Sequence, residues 1–464
     1  MPVLVCSNPR MSKKRGRSIP RGRSRTPRKE RRPRDLPAAI AAGALAFAIL
    51  GAALAVDSGA DASFDAPKRL TSLLFLGLAA AALSFSRWKN PFVSEKPSSP
   101  RNLALLLAAG ALAWALLAAL LSPHRTLALD ATRGMLLYAL LLPIGASRTL
   151  ERGGSFLLGT FLVVAAVNAG VSILQAGRLY RPFPLLTELG SRESTGAFVG
   201  NVGYLAVALS LAAVAALALL LSARRPLVRG ASALGALLFG GGLLVNRNLT
   251  SLTALLAGAG ILFFAFFGRR ALLPAAGLAL ALGLGVAAYR PMRERVEDAL
   301  SAARAGEWNR LVTYRVGAWK AALAMSRERP LLGFGPGTFG AEFVPHRLAV
   351  EIASHRRYDN PLRTSSYGEA HCDYLQPFAE AGIPAGLAGL GAVALLLVGL
   401  GKTLRKREWT GRREAVFLLA VLGAGAAAAL TWFPMQRPIS AIPLLLAAGR
   451  AWRISELQPG GKES

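Results

Sequence analysis

Apolar residues in this chain form long, nearly uninterrupted stretches, and polar residues are collected in the segments between them. Stretches of about 17 to 25 apolar residues are long enough for a helix to cross a bilayer core of about 30 Å. Ala, Gly and Leu dominate them, which allows close helix–helix approach in lipid. The pattern predicts about twelve transmembrane helices, at 36–56, 69–86, 102–121, 129–147, 155–176, 198–221, 230–246, 250–267, 270–289, 381–401, 413–432 and 436–450.

Residues 291–380 break this pattern with a long polar segment that contains three of the four histidines. Long connections are usually functional or disordered, and the composition of this one is not that of a disordered segment. We therefore predict an all-α polytopic membrane protein with a large, mainly helical periplasmic loop between helices 9 and 10. Helices 1–9 would occupy 36–290, the loop with the candidate chemistry 291–380, and helices 10–12 residues 381–450.

The composition supports a membrane protein. The chain has 464 residues, is 53% hydrophobic and carries a formal net charge of +30. A soluble helical protein would need polar faces on its helices, and these stretches nearly lack them. Because cytoplasmic loops are enriched in Lys and Arg, the basic loops place both termini, including the tail 451–464, in the cytoplasm. The polar segment then lies outside, which is the periplasm of a Gram-negative cell.

The first 35 residues hold a dense run of Lys and Arg with Ser, Thr and Pro, from Lys13 to Arg34. Such a composition cannot bury a core, so 1–35 is predicted to be a disordered cytoplasmic tail. Contact with nucleic acid or anionic lipid is an alternative. We favour a signal that fixes the topology and expect no nucleic-acid partner. No cleavable signal peptide is evident, and Met11 is an alternative start.

His371 is the candidate general base. If it begins a helix, Tyr374 and Leu375 share its face. A neutral imidazole, with an ordinary pKa of about 6.5, can accept a proton from a sugar hydroxyl. No role is predicted for the other three histidines, His124, His346 and His355. His346 and His355 are expected to be solvated.

A metal site at His371 is disfavoured. Such a site would be built from His371, Asp373 and another histidine of the loop, but side chains at i and i+2 of a helix point apart. Cys6 and Cys372 are predicted on opposite sides of the membrane, and there is no Cys/His spacing typical of a metal site. We expect neither a metal nor a cofactor.

Arginines on the predicted outer face run against the topology preference and therefore suggest a function. A planar guanidinium suits phosphate through paired hydrogen bonds. Each arginine alone could be a surface charge or the partner of a nearby Glu, but together they predict an outward-facing anion site. They are Arg178, Arg181, Arg192, Arg247, Arg310 and Arg315.

The Gly-rich segment Pro330–Phe339 is not a phosphate loop. It lacks the Lys-Ser/Thr that would follow, and it is predicted on the wrong side of the membrane for ATP. We predict a turn that packs the polar segment against the membrane helices.

Five segments in this order resemble the O-antigen ligase/O-antigen polymerase superfamily of bacterial membrane glycosyltransferases. Arg315–Trp319, running into the Gly-rich segment, is the closest match, and His371–Gln376 with Glu380–Gly382 is similar to the family's His-Asn-x-Tyr-Leu-Gln segment. Arg192–Ala206 resembles the family's Arg–Gly–Phe–Asn segment, and Asn246–Thr253 lies where the family has a helix start. Phe433–Pro438 is similar to the family's final outer turn.

Three features depart from the family pattern. Cys372 stands where Asn or Ser is usual, which leaves its role open. The Arg192 segment carries one additional residue before its Gly and another after its Phe. The Asn246 segment lacks the family's Ser-Arg pair, which makes Arg247 a weaker match than the other arginines.

The resemblance implies a GT-C-like fold and a metal-independent glycosyl transfer at the periplasmic face of the inner membrane. A glycan on undecaprenyl diphosphate would be the donor, and a hydroxyl of lipid A–core or another glycan would attack its anomeric carbon with inversion. Arg192 and Arg315 would stabilise the diphosphate, and His371 would orient or deprotonate the acceptor. Further diphosphate-binding residues are expected at Arg310 and Arg247. Supporting residues are expected at Tyr374, Gln376, Glu380 and Asn201.

A polymerase that uses a second lipid-linked repeat unit as acceptor shares this chemistry and is the main alternative. The large insert and the His-x-x-Tyr-Leu-Gln match favour a ligase. A transporter or flippase of lipid-linked sugar is a remote alternative, because it would need ionisable residues within the spans and related repeats. Asp130 and Arg133 are the exceptions to an almost complete lack of charge in the spans, and no repeat is evident.

Overall fold

The computed structural model describes most of the chain as helix. The predicted tail 1–35, Cys6 and Arg192 lie outside the described residues, as does the chain after 455. The described ranges are 36–60, 62–85, 100–183, 195–358, 367–406 and 409–455.

Seventeen α-helices lie within these ranges. Their sequences are rich in Ala and Leu, which have strong intrinsic helix preferences. Each of the twelve predicted apolar stretches falls largely on one helix or on two consecutive helices. The helices are α1 Leu36–Leu54, α2 Asp65–Ser84, α3 Pro100–Leu120, α4 Arg125–Ala139, α5 Leu141–Ala146, α6 Arg148–Ala176, α7 Val202–Ser222, α8 Pro226–Asn246, α9 Leu249–Phe267, α10 Leu272–Ala288, α11 Arg290–Arg304, α12 Trp308–Leu311, α13 Val316–Glu328, α14 Phe339–Ser354, α15 Gln376–Lys406, α16 Trp409–Ala429 and α17 Pro438–Ile454.

Nine helical stretches in the described part of the chain are long and apolar enough to cross a membrane. One of them, Leu249–Ala288, is 40 residues long. It contains a turn at Gly268, whose φ is +55°, so it covers two of the predicted spans. The all-helical, multi-pass character predicted from the sequence is confirmed, while the count of twelve spans stays a prediction.

Helix α7 forms the centre of the helix bundle. About three quarters of its apolar window is buried (72%), and its many Ala residues let α6, α8, α9 and α16 pack closely around it. Helix α10, in contrast, buries none of its residues. The fully packed position of α7 fixes its N-terminus, which becomes one wall of the site described below.

The Gly-rich segment Pro330–Phe339 is wedged between the membrane helices and the polar segment, as predicted. Gly335 has a φ of +108°, and a Cβ there would come within 2.8 Å of Ala128 on α4. Its backbone N–H donates to the carbonyl of Glu380 on α15 at 2.7 Å. Only residues without a side chain fit so close to neighbouring helices, which explains the glycines without invoking a ligand.

Helices α11 to α14 make up the polar segment, and α13 packs on α14 through a small apolar core. The prediction that His346 is solvated was wrong, because it lies on the face of α14 that covers the Gly-rich turn, and its side chain is only 10% exposed. Its Nδ1 lies 2.7 Å from the carbonyl oxygen of Glu342 and its Nε2 3.1 Å from a Glu328 carboxylate oxygen. His355 ends α14 and is exposed.

Candidate active site

A cavity of about 140 Å³ opens where the N-terminus of α7 meets the turns before α13 and α15 and the turn after α16. Segments from four separate parts of the chain therefore build one site. It is lined by Asn201, Val202, Gly203, Thr313, Arg315, Tyr367, His371 and Trp432. The structure thus brings together three predicted site residues, Asn201, Arg315 and His371.

His371 lies in the turn ahead of α15, with a φ of +54°. The prediction that it shares a helical face with Tyr374 and Leu375 was wrong, because α15 begins only at Gln376. Its Nδ1 is 3.0 Å from the carbonyl oxygen of Glu369. A carbonyl only accepts hydrogen bonds, so Nδ1 carries the proton and Nε2 keeps a lone pair.

Burial, and then the positive charge of Arg315, lowers the pKa of His371 to about 3. Both effects disfavour the imidazolium. His371 is therefore neutral throughout the physiological pH range, and the lone pair on Nε2 can accept a hydrogen bond at any of these pH values.

Three aromatic rings contact the His371 imidazole. The ring centroids of Tyr367 and Phe433 lie 4.8 Å from it, and that of Trp432 lies 5.1 Å away, all in edge-to-face arrangements. Such contacts fix the orientation of the ring. Trp432 is also pressed against α7, where a Cβ on Gly203 would come within 3.0 Å of the indole Cε2.

Arg315 immediately precedes α13, and its Nη1 donates to the carbonyl of Thr431 at 2.6 Å. Its guanidinium lies 4.7 Å from the centroid of the Trp432 ring. A cation held over an aromatic face and by a carbonyl has a defined direction. Arg315 is thereby aimed at the same cavity as His371.

The third wall is the start of α7. The Asn201 side-chain oxygen accepts hydrogen bonds from the backbone N–H groups of Gly203 and Tyr204, at 2.8 and 3.2 Å. This N-cap holds the positive end of the helix dipole at the cavity. Because Arg315 lines the same cavity, the cavity has a positive field that suits an anion.

Asp373 ties the His371 turn to the turn after α16, a role that the sequence did not reveal. Its carboxylate accepts from the backbone N–H of Met435 at 2.9 Å and from the Gln436 amide at 3.3 Å. Its own N–H donates to the carbonyls of Ala429 and Trp432. Burial raises the pKa of Asp373 to about 7.

Arg437 is the second residue that the sequence analysis missed. Its guanidinium pairs with Glu369 and with Asp65 at the start of α2. It covers the rings of Tyr204, at 4.3 Å, and Phe433, at 5.3 Å. The Glu369 carbonyl oxygen accepts a hydrogen bond from His371 Nδ1. The ion pair therefore fixes the residue that orients the imidazole.

Of the predicted supporting residues, Asn201 lines the cavity, whereas Tyr374, Gln376 and Glu380 hold the turn and are not among its lining residues. The Tyr374 hydroxyl donates to the carbonyl of Ala426 at 2.8 Å. The Gln376 amide donates to a Glu380 carboxylate oxygen at 3.0 Å, which also accepts from the backbone N–H of Phe339 at 3.1 Å. These bonds join α15 to the Gly-rich turn.

Two predicted diphosphate-binding arginines are not among the cavity residues. Arg310 pairs with Asp298 and with Glu307, its neighbour three residues earlier, so its charge is compensated away from the cavity. Arg247 ends α8 in a left-handed conformation, with a φ of +53°. Arg192 lies outside the described residues.

Comparison with known proteins agrees with the resemblance seen in the sequence. Residues 234–390 match the family model described as O-antigen ligase, a stretch that runs from within α8 to within α15 and includes Arg315 and His371. No curated protein matches the chain. This part of the chain is therefore similar to the O-antigen ligase family.

Proposed function

We propose that this protein transfers a glycan from undecaprenyl diphosphate to an acceptor hydroxyl, such as one of lipid A–core, without a metal and with inversion at the anomeric carbon. The observation that carries the proposal is the shared cavity of a neutral His371, the Arg315 guanidinium and the N-terminus of α7. The positive groups suit a diphosphate leaving group, and the imidazole suits an attacking hydroxyl.

In this reaction the acceptor oxygen bonds to the anomeric carbon while the bond from that carbon to the diphosphate oxygen breaks. Attack from the opposite side inverts the configuration. The hydroxyl proton passes to Nε2 of His371, and the negative charge that develops on the departing diphosphate is stabilised by Arg315.

Donor binding would also strengthen the base. Arg315 is one of the groups that lowers the pKa of His371. A diphosphate beside Arg315 would offset that positive charge and make protonation of the imidazole easier. The histidine would then be a poor base until the donor is in place, which links proton removal to a loaded site.

We further propose that the cavity opens to the periplasm and that the protein lies in the inner membrane. The uneven distribution of basic loops supports this orientation. A donor with a lipid anchor would then reach the cavity laterally from the outer leaflet.

The test is a transfer assay with the purified chain in nanodiscs and an undecaprenyl-diphosphate glycan. Lipid A–core and a second lipid-linked repeat unit are offered separately. Product on lipid A–core alone supports the ligase, whereas a ladder on the lipid carrier identifies a polymerase. Loss of transfer with a chelator, and recovery with a divalent cation, would overturn metal independence. No product with either acceptor from an active donor preparation would contradict the proposed reaction.

A further inference from the structure

Thr313 and Tyr314, the two residues before Arg315, both have left-handed backbone conformations, with φ values of +58° and +60°. Such a conformation is unfavourable for a β-branched residue. It persists only where the surrounding structure holds it in place, and strain of this kind collects at functional sites. Thr313 lines the cavity. A role in ligand binding would explain why a strained backbone conformation occurs at this position.

The Thr313 side chain is held from outside the cavity by α11. Arg295 Nη2 donates to the Thr313 hydroxyl oxygen at 2.9 Å. Arg295 is itself held by Asp298, whose carboxylate lies 3.1 Å from Nη1. The predicted anion ligand Arg310 pairs with the same carboxylate, so it contributes to this anchor and not to the cavity.

A guanidinium only donates hydrogen bonds, so this contact uses the oxygen of the Thr313 hydroxyl and leaves its proton for an acceptor. Arg295 also polarises the hydroxyl and makes it a better donor. The acceptor should be an anion, because the same cavity holds Arg315 and the N-terminus of α7.

The geometry points to Thr313 as a further binding residue, whose hydroxyl donates to a phosphate oxygen of the lipid-linked diphosphate beside Arg315. This inference rests on the proposed function. The strained turn serves two purposes, since it places Thr313 at the cavity and sets the start of α13, which Arg315 immediately precedes.

The test measures binding of undecaprenyl diphosphate to the full chain in nanodiscs. Thr313→Val keeps the β-branched shape and loses the hydroxyl, while Thr313→Ser keeps the hydroxyl. Thr160→Val is the matched control, because the Thr160 hydroxyl donates to the carbonyl of Phe156 within α6 and does not line the cavity. We expect Thr313→Val to raise the Kd by about tenfold or more, as for a lost bond to a charged group. The serine and control variants should stay within about twofold, well below the tenfold effect of a lost bond.

Thr313→Ala removes the hydroxyl and the β-branch together and replaces the valine variant if that one does not fold. Wild-type affinity in a variant without the hydroxyl overturns the inference, as does a serine variant as weak as the valine variant. If the wild-type chain transfers glycan normally and Thr313→Val binds and transfers equally well, only this inference fails. If the wild-type chain neither binds the lipid diphosphate nor transfers glycan, the proposed function fails and takes the inference with it.

Discussion

The ion pair between Arg437 and Glu369 supports the His371 turn without touching the cavity, and replacing Arg437 by Met tests that role. The Arg437 side chain is 15% exposed and that of Glu369 is 20% exposed. The methionine keeps most of the contact with Tyr204 and Phe433 but leaves the Glu369 carboxylate without its nearest positive charge. Burial already raises the pKa of Glu369 against the influence of Arg437, so the carboxylate is poorly solvated.

Removing one partner of a fully buried ion pair costs about 3 to 5 kcal/mol. Because both side chains keep some contact with solvent, we expect a loss of about 2 to 3 kcal/mol for Arg437→Met. The double variant Arg437→Met/Glu369→Gln removes the more buried of the two orphaned carboxylates, leaves only the more exposed Asp65, and should regain at least about 1 kcal/mol. Thermal melting of the protein in nanodiscs measures both.

A positioning role makes a further demand on the kinetics. Since the Glu369 carbonyl holds Nδ1 of His371, a shifted Glu369 misplaces the base, and small misplacements reduce kcat by about 10- to 100-fold. The KM for the donor should change less, because Arg315 is not displaced. The assay is initial-rate transfer from an undecaprenyl-diphosphate glycan.

The matched control lies at the other end of α17. Arg450 on α17 pairs with Glu414 on α16, with side-chain exposures of 15% and 39%, about 20 Å along α17 from Arg437. Arg450→Met should lower the melting temperature to a similar degree and leave kcat unchanged. Equal losses of kcat in both arginine variants would contradict the positioning role. So would a kcat of Arg437→Met within about twofold of the wild type, because a misplaced base predicts a loss of at least about tenfold.

Three further predictions concern the site. Because the pKa of His371 is lowered to about 3, titration of this residue should not reduce kcat/KM between pH 5 and 8. If donor binding raises that pKa, kcat should begin to fall on acidification at a higher pH than kcat/KM does. Coincident pH profiles of the two constants would contradict the link between donor binding and the base. Asp373, whose pKa is raised from an ordinary value of 3.8 to about 7, favours folding while protonated, so its contribution to wild-type stability should fall as pH rises from about 4 to about 7 and level off above that. Asp373→Asn should lack that fall in melting temperatures measured across this window; an equal fall in both proteins would point to another group. Gly203→Ala should abolish transfer, because its Cβ meets the Trp432 ring, while Gly277→Ala on α10 has open space and should be neutral; an active Gly203→Ala would show that the wall can move.

The fold could be predicted because each transmembrane helix is encoded locally by a stretch of apolar residues. The packing role of the Gly-rich turn could be predicted too. The segment lacks the sequence of a phosphate loop, so packing explained its glycines better than ligand binding did. Arg310 was assigned to the anion site although Glu307 lies at i−3, where a partner on a helical turn is expected. That neighbour was a signal in the sequence for its actual ion pairs.

The rest of the site depends on contacts between distant parts of the chain. Arg437 and Glu369 are 68 positions apart, and Asp373 reaches Met435 across 62. No local period or spacing indicates such pairs. The lowered pKa of His371 has the same origin. It follows from burial against aromatic rings that come from the turn before α15 and from the turn after α16.

The central claim is that His371 and Arg315 act on one donor in one cavity. The most direct measurement is the single-turnover rate of transfer from an undecaprenyl-diphosphate glycan by the wild type, His371→Ala, Arg315→Lys and the double variant. Residues that act as a unit give losses that do not add. Each single variant should lose about 100-fold or more, and the double variant should be no slower than the worse of the two. A His371→Ala protein that transfers at the wild-type rate, or losses that multiply in the double variant, would contradict it.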